Sequence, residues 1–294
     1  MREPEAPSRP AAARIAGFLA SVAMALFAAV SCAVSRHFFR FLTIEDGLIQ
    51  DLTALYLLAA AILLAAAGLR ALRRPWLALF LLLAGLLLAV GCLEEISWGQ
   101  RFTGISTPEL IRRLNSQHEL NLHNIDFRKI NKAIPIYSQS FDTVLYGAFS
   151  LLGVVGGGIG LVLARRLGRR LEPWAVLVPS CEVVLICALA TPWASRGSFW
   201  TPPVYGLQVV LSLAVIAALL VLDRRGITSL GERFRRHAMG VFLLMGLTYA
   251  AIQGAPGRHM SNRPLEVREL LLAVGCFSYA AGVRSRLAGG KPDS

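Results

Sequence analysis

The chain has 294 residues, of which 55% are hydrophobic and only 16% are charged, and its mean hydropathy is +0.56. Ordinary soluble domains are less apolar and carry more charge, so this composition excludes that class and indicates a membrane protein. The formal net charge of +12 would suit a nucleic-acid partner, but the basic residues fall between the apolar runs and form no patch of their own. We therefore predict the lipid bilayer, and no nucleic acid, as the partner.

Eight apolar runs are long enough to cross a bilayer, which takes about 20 helical residues. They lie at roughly 15–34, 51–69, 75–97, 141–164, 173–193, 204–222, 238–254 and 265–283. The pattern predicts an all-α, polytopic helix bundle of about eight transmembrane helices that form a single domain over residues 15–283. An outer loop of about residues 99–140 and two tails, 1–14 and 284–294, complete the predicted organisation.

The basic residues predict the orientation of this bundle. The two termini and alternate connections hold 18 basic and six acidic residues, whereas the other connections and their flanks are near neutral. By the positive-inside rule, both termini are then cytoplasmic. We expect the inner membrane of a bacterium, with the near-neutral face toward the periplasm.

The first run ends in the sequence AVSC at Cys32 and follows Arg2, Arg9 and Arg14, which is also the pattern of a secretory signal. We expect the run to be retained as the first span, because its removal would leave an odd number of helices. Processing of this segment is the alternative.

Acidic residues stand at the outer ends of the second and third spans. Glu45 and Asp46 precede the second span, and Glu94 and Glu95 end the third. Adjacent residues of a helix project about 100° apart, so one of this pair can face the bundle while the other turns elsewhere. Trp98, four residues after Glu94, would share its face, and most tryptophans at this depth are interfacial anchors.

The outer loop is too long to be a simple connector. Thr107-Pro108-Glu109 is a typical helix start, with Thr107 as the N-cap, and Leu110, Ile111 and Leu114 predict a short amphipathic helix in the interface. Arg112 and Arg113 would lie on its polar side.

The segment SQHELNLHN then concentrates amide, carboxylate and imidazole groups. If it is helical, Glu119 and His123 share a face and form a possible ligand pair. The histidines are five apart, so the segment is not the zinc-protease motif HExxH. An amide-rich cap that binds the loop backbone is an equally good interpretation.

Two features lie within the later spans. The glycine-rich run GVVGGGIG, Gly153 to Gly160, favours close helix packing over a nucleotide loop, because no strand precedes it. Glu182 falls near the middle of the fifth predicted span, where a carboxylate normally faces a partner or a wet cavity. It is the residue that most favours an ion or proton path.

The last outer segments add more charge. The loops after the fifth and seventh spans carry Arg196, Arg258 and Arg263, and Glu266 and Glu269 start the eighth span on one helix face. Dipole compensation at a helix start is the simpler interpretation of these two acids.

These groups come from different outer connections, and a closed bundle would gather them. Carboxylates with imidazole suit a divalent metal, and we predict Glu95, Glu119, His123, Glu266 and Glu269 as its candidate ligands. The predicted catalytic residues are Glu94, Glu95, Glu119 and His123. The outer arginines would bind an anionic group such as a lipid phosphate; they are Arg101, Arg196, Arg258 and Arg263.

The strings EEISWGQR, from Glu94 to Arg101, and ELNLHN, from Glu119 to Asn124, resemble those of a widespread group of uncharacterised bacterial multi-pass membrane proteins. In that group a similar acidic element, here Glu45-Asp46-Gly47, precedes the second span. The resemblance covers residues 45–124. The group has no established activity, so the resemblance implies only a polytopic fold and a membrane location.

Three functions remain open on the sequence. The first is a metal-assisted hydrolase or transferase with a periplasmic site that acts on a lipid-linked or amphiphilic substrate. The second is a proton- or cation-coupled transporter that uses Glu182. The third is a non-catalytic scaffold that binds a partner protein through residues 99–140.

Overall fold

The computed structural model describes residues 9–44, 47–115, 118–122, 125, 129, 148–167, 174–194, 203–227, 230–254 and 263–289. All regular elements in these ranges are helical, apart from one isolated antiparallel bridge between Asn115 and Ile125. The all-α prediction is therefore confirmed. In chain order the α-helices are α1 Arg9–Val34, α2 Arg36–Leu42, α3 Leu48–Arg70, α4 Pro75–Glu95, α5 Gln100–Thr103, α6 Glu109–Leu114, α7 Ala148–Leu167, α8 Cys181–Ala190, α9 Pro203–Arg224, α10 Gly231–Gly254 and α11 Arg263–Gly289.

Six segments of the described chain are long and apolar enough to cross a membrane. They are Ile15–Val34, Leu48–Arg70, Pro75–Glu95, Ala148–Leu167, Ala175–Trp193 and Leu265–Ala288. The protein is thus a multi-pass membrane protein, as the composition predicts. The other two predicted spans, 204–222 and 238–254, fall within the long helices α9 and α10 but are not among these six, so the count of eight is not confirmed.

The interior of the bundle is centred on α8. Every residue from Val183 to Ala190 is buried, because this helix is apolar on all sides and packs against α1, α7, α9, α10 and α11. The hairpin of α3 and α4 docks on α11 through α3. The outer end of α4 is thereby brought beside the start of α11.

The glycines of α7 allow close contact with α8, as the glycine run predicts. A Cβ on Gly153 would lie 2.5 Å from Cys187 Sγ, and one on Gly157 would lie 2.8 Å from Val184 Cγ2. The first of these glycines belongs to a π-helical turn, Leu152–Gly156, within α7. Such turns are rare and occur frequently at functional sites.

The fifth span is not a continuous helix. A 3₁₀ turn, Ala175–Leu177, is followed by an extended segment through Pro179, and α8 begins only at Cys181. Glu182 therefore lies in the first turn of α8, and it is near the middle of the segment Ala175–Trp193, as predicted for the span. Proline in the span accounts for the break, since it supplies no backbone N–H and disfavours helix before it.

Candidate functional site

The paired acids at the end of α4 point in different directions, as their spacing predicts. Glu95 is 1% exposed, and its backbone oxygen accepts a hydrogen bond of 2.8 Å from Gln50 Nε2 of α3. Glu94 is half-buried and lines a cavity. Glu95 thus belongs to the packed interior, and Glu94 is the member of the pair that a ligand can reach.

The chain reverses sharply directly after these acids. Ser97, Trp98 and Gly99 have φ values of 49°, 55° and 75°, and the left-handed region is costly for the first two because they carry a side chain. The reversal brings the indole back to the helix end, where Trp98 Nε1 donates to Glu94 Oε1 at 2.5 Å. The sequence predicts that Trp98 shares a helix face with Glu94, but α4 ends before Trp98, and the reversal of the chain brings the two side chains together instead.

A polar network holds the loop segment 119–122 against this turn. Leu122 N donates to Glu94 Oε2 at 2.6 Å, and Ser97 Oγ donates to Glu119 Oε2 at 2.5 Å. The buried Asn121 donates through Nδ2 to the same Glu119 oxygen at 2.9 Å and to Ser97 Oγ at 3.1 Å. Glu119 therefore fixes the loop and does not face the cavity, which agrees with the alternative interpretation of an amide-rich cap.

A second chain of bonds ties the loop to α5. Gln100 Oε1 accepts from Leu120 N at 2.7 Å, and Gln100 Nε2 donates to Thr107 Oγ1 at 2.8 Å. Thr107 in turn donates to the backbone oxygen of His118 at 2.8 Å. The prediction that Thr107 caps α6 is wrong, because its hydroxyl is used for this longer-range contact and Pro108 occupies the cap position.

The amphipathic helix α6 has the predicted polar side. Glu109 accepts hydrogen bonds from Arg112 Nη2 at 2.5 Å and from Arg113 Nε at 2.7 Å. The bond from Arg113, followed by that from Arg112, holds the pKa of the Glu109 carboxyl below its usual range. These exposed pairs contribute little to stability.

The histidine segment is not helical where the structure describes it. His118 has a φ of 63°, its Nδ1 lies 2.7 Å from Arg112 O, and residues 119–122 form bends and extended chain. The spacing argument that places Glu119 and His123 on one helix face therefore does not apply to these residues. His123 itself lies outside the described residues.

Two acids that are far apart in the sequence meet at one cavity. This outer cavity has a volume of about 300 Å³ and is lined by Glu94, Trp98 and Leu122 at one end and by Glu269 of α11. Its other lining residues are apolar and come from α3, α4, α7 and α11. Glu94 and Glu269 thus line the same cavity, whereas Glu266 is half-buried on α11 and is not part of the lining. The predicted gathering of the acids into one site stays a prediction.

The remaining predicted site residues are not among the residues or side chains that the structure describes. Glu45, Asp46, Arg196 and Arg258 lie outside the described residues, as do the side chains of Arg101 and Arg263. The predicted anion site therefore stays a prediction. Within the described part of the chain, no group of three or more His, Cys, Asp or Glu side chains is arranged to hold a metal ion.

Sequence reasoning missed Arg268, the second-largest fully buried side chain among the described residues, at 0% exposure. It precedes Glu269 in α11, and both are buried. Its position between two acids in the first turns of a predicted span was the available signal, because charge is rarely kept at such a place without a role. Ser97 and Asn121 were missed as network members, as was Asn115, whose Nδ2 donates to Asn121 O and Oδ1 at 2.7 Å, since only the fold brings them together.

A second, more polar cavity of about 370 Å³ lies beside the first turn of α8. It is lined by Glu182 from α8 and by Glu232 and His237 from α10. The nearby Asp223 and Arg235 form an ion pair of 3.4 Å. Glu182 thus lines a polar cavity, which is a typical position for a carboxylate in a span.

The network around Asn121 leads to a first prediction. Replacing Asn121 with alanine removes its bonds to Ser97 and Glu119 and leaves buried partners unsatisfied, at a cost of about 1–3 kcal/mol. Each 1.4 kcal/mol of lost stability multiplies by about ten the fraction of molecules in which segment 119–122 is detached from the turn at Ser97. Because the loop is then more accessible, trypsin should cleave after Arg112 and Arg113 about tenfold faster or more. The control is Ile105→Ala, which truncates an exposed side chain of the same loop. Equal cleavage rates in the two variants would contradict the role of the network.

The site is a carboxylate pair at the rim of an apolar cavity, in an all-helical protein with several apolar helices of membrane-spanning length. The resemblance carried by EEISWGQR and ELNLHN stays an expectation. Comparisons of the chain with protein families, curated proteins and solved structures found no match.

Proposed function

We propose that the protein is an enzyme of the bacterial inner membrane that hydrolyses, or transfers a group from, an amphiphilic lipid-linked substrate at its periplasmic rim. In this proposal the bundle has eight spans, and both termini are cytoplasmic, as the arginine-rich connections favour. The observation that carries the proposal is the pair Glu94 and Glu269 at the polar end of an otherwise apolar cavity.

The two carboxylates suit general acid–base chemistry. Glu94 is oriented by Trp98 Nε1 and by the backbone N–H of Leu122, one on each oxygen. A side chain held in this way is positioned for proton transfer at a fixed point of the cavity. Glu94 would take the proton of a water molecule or an acceptor hydroxyl as it attacks, and Glu269 would donate a proton to the leaving group.

The surrounding residues have positioning roles in this mechanism. Glu119 and Asn121 hold segment 119–122, and that segment supplies the Leu122 N–H that binds Glu94. The apolar lining excludes water and accepts the hydrophobic part of the substrate. Glu95, which is buried between helices, accepts a hydrogen bond from Gln50 of α3 through its backbone oxygen and has no contact with the substrate in this mechanism.

The proposal is tested by turnover of lipids. Purified protein is incubated in liposomes made from a total bacterial lipid extract, and the lipids are followed by mass spectrometry. We expect the wild type to convert a lipid species with time, and Glu94→Gln and Glu269→Gln to slow that conversion by about 10²–10⁴-fold. Glu109→Gln, an exposed acid of α6, is the control and should retain full activity.

Two outcomes would overturn the proposal: no lipid species changes with the wild type, or both carboxamide variants keep the wild-type rate. Elemental analysis of the same samples tests the metal expected from the sequence. Zinc, manganese or iron that is bound by the wild type and lost in Glu95→Gln and His123→Ala would restore the metal-assisted form of the mechanism.

A second candidate is a proton- or cation-coupled transporter. It is favoured by the break in the fifth span and by Glu182, which lies in the first turn of α8 beside a cavity lined by Glu232 and His237. Broken helices that present a terminus to a cavity are typical of transporter sites. Glu182→Gln should then abolish proton- or cation-dependent flux into proteoliposomes and leave lipid turnover unchanged. The scaffold alternative depends on the loop 99–140, of which residues 116–117, 123–124, 126–128 and 130–140 lie outside the described residues.

A further inference from the structure

The outer cavity continues inward along the bundle. A neighbouring cavity of about 350 Å³ shares five lining residues with it, which are Leu87, Leu88, Phe149, Leu272 and Cys276. The two volumes therefore form one cleft between α4 and α7, with α11 behind it. The polar end of the cleft is at Glu94 and Glu269, and the inner end is at Tyr279.

The length of this cleft matches one leaflet of a bilayer. From Glu269 to Tyr279 the helix α11 advances ten residues, or about 15 Å at 1.5 Å per residue. The hydrocarbon core of a bilayer is about 30 Å thick, so one leaflet contributes about 15 Å. A hydrocarbon chain anchored by a head group at the acids would extend to the inner end of the cleft.

The inner end of the cleft is closed. Tyr279 OH donates a hydrogen bond of 3.0 Å to the backbone oxygen of Leu177, and both residues line the cavity. Between Tyr279 and the polar end, the walls of the cleft are formed by aliphatic and aromatic side chains, by cysteine and by glycine. The cleft therefore favours an apolar ligand, which gains free energy from hydrophobic burial and needs no hydrogen bonds there.

The side of the cleft toward the lipid is open. Leu87 of α4 and Leu152 of α7 line it and are 63% and 71% exposed. Gly156 also lines this cleft, on the π-helical turn of α7, and a Cβ there would come within 4 Å of Leu152 alone. The space beside Gly156 is thus available to a chain that enters sideways from the membrane.

We propose that this cleft binds one hydrocarbon chain of a membrane amphiphile whose head group carries hydroxyl or ammonium donors. The carboxylates of Glu94 and Glu269 at the polar end select for such donors and against a negatively charged head. The inference rests on the proposed function for the chemical role of the two acids. The binding of the chain depends only on the apolar walls.

Photocrosslinking tests the proposal in the full-length protein reconstituted in phosphatidylcholine nanodiscs. The probes are single palmitoyl-length chains that carry a diazirine and end in an alcohol, an amine or a carboxylate. We expect the alcohol and amine probes to label peptides that contain Phe149, Leu152, Leu272 or Cys276, and the carboxylate probe to label them about tenfold less, which corresponds to ~1.4 kcal/mol.

Two variants should block the cleft. Gly156→Leu places a side chain in the open space, and Leu87→Trp enlarges a residue shared by both cavities, so each should lower labelling about tenfold. The matched control is Ile159→Phe, which enlarges an exposed residue of α7 that does not line the cleft. If Gly156→Leu does not fold, the Leu87→Trp variant decides the test.

The outcomes separate this inference from the proposed function. Labelling that survives both blocking variants, or that is absent in the wild type, overturns the cleft even if the wild type converts lipids. Labelling that follows the expected pattern supports the cleft, even where the wild type converts no lipid species. Equal labelling by all three probes would overturn the proposed selection of the head group.

Discussion

Replacing Arg268 with alanine is expected to lower the free energy of unfolding by about 3–5 kcal/mol, a large part of the stability of a typical protein. The side chain is fully buried on α11, next to the buried Glu269. A buried charge persists only where its surroundings compensate it, so its removal leaves those compensating groups buried without it. The lost volume of a large core side chain adds a cavity.

The measurement for Arg268 is the unfolding temperature of the detergent-purified protein, followed by the fraction that remains monodisperse after heating. The matched control is Arg284→Ala, which removes an exposed arginine from the same helix and should change little. If the Arg268 variant unfolds at the same temperature as this control, the burial of the guanidinium has no energetic consequence, and its placement in the interior is wrong.

Replacing Gly153 with alanine is expected to cost about 1–3 kcal/mol by overpacking the contact between α7 and α8. The added methyl would lie 2.5 Å from Cys187 Sγ and 2.9 Å from Cys187 Cβ, distances that real side chains do not adopt. The helices must separate or the sulfur of Cys187, which belongs to the buried core around α8, must move.

Gly156→Ala is the matched control for Gly153→Ala. It lies three residues later in the same π-helical turn, and its new methyl would meet only Leu152, at 3.9 Å. A double variant gives a sharper test, because Cys187→Ala removes the sulfur that the methyl meets. The double variant should regain part of the free energy of unfolding that Gly153→Ala loses, and this gain is the coupling energy between positions 153 and 187. Unfolding temperatures that fall equally in Gly153→Ala and Gly156→Ala would contradict the contact.

The outer acids illustrate how far the candidate site follows from the sequence. The 100° rotation between adjacent helical residues predicts that Glu94 and Glu95 face different ways, and they do, because α4 remains a regular helix up to Glu95. The same kind of argument gave a wrong result for Thr107. Its hydroxyl bonds to His118 O across the loop, and a local capping rule has no information about such a distant partner.

For Glu182 and Arg268, too, the sequence identifies the charged residue, but only the packing of the helices decides its surroundings. The sequence identifies Glu182 as an acid within an apolar run, but its place in the first turn of α8 follows from the break at Pro179. Arg268 stands between two acids and is easily taken for part of a polar helix start. It is buried because α11 presents that face to the interior, which depends on how the helices pack.

The sequence by itself determined the class of the protein, because apolar composition and the length of apolar runs are set by the bilayer and require no knowledge of packing. It also identified Glu94 as a candidate site residue, since acids are costly at the edge of a span. The tertiary structure alone decided that Glu94 meets Glu269, that Glu119 holds a loop, and that an apolar cleft runs from the two acids to Tyr279. These relations join residues far apart in the chain, and they arise from the docking of the α3–α4 hairpin on α11, which no local pattern encodes.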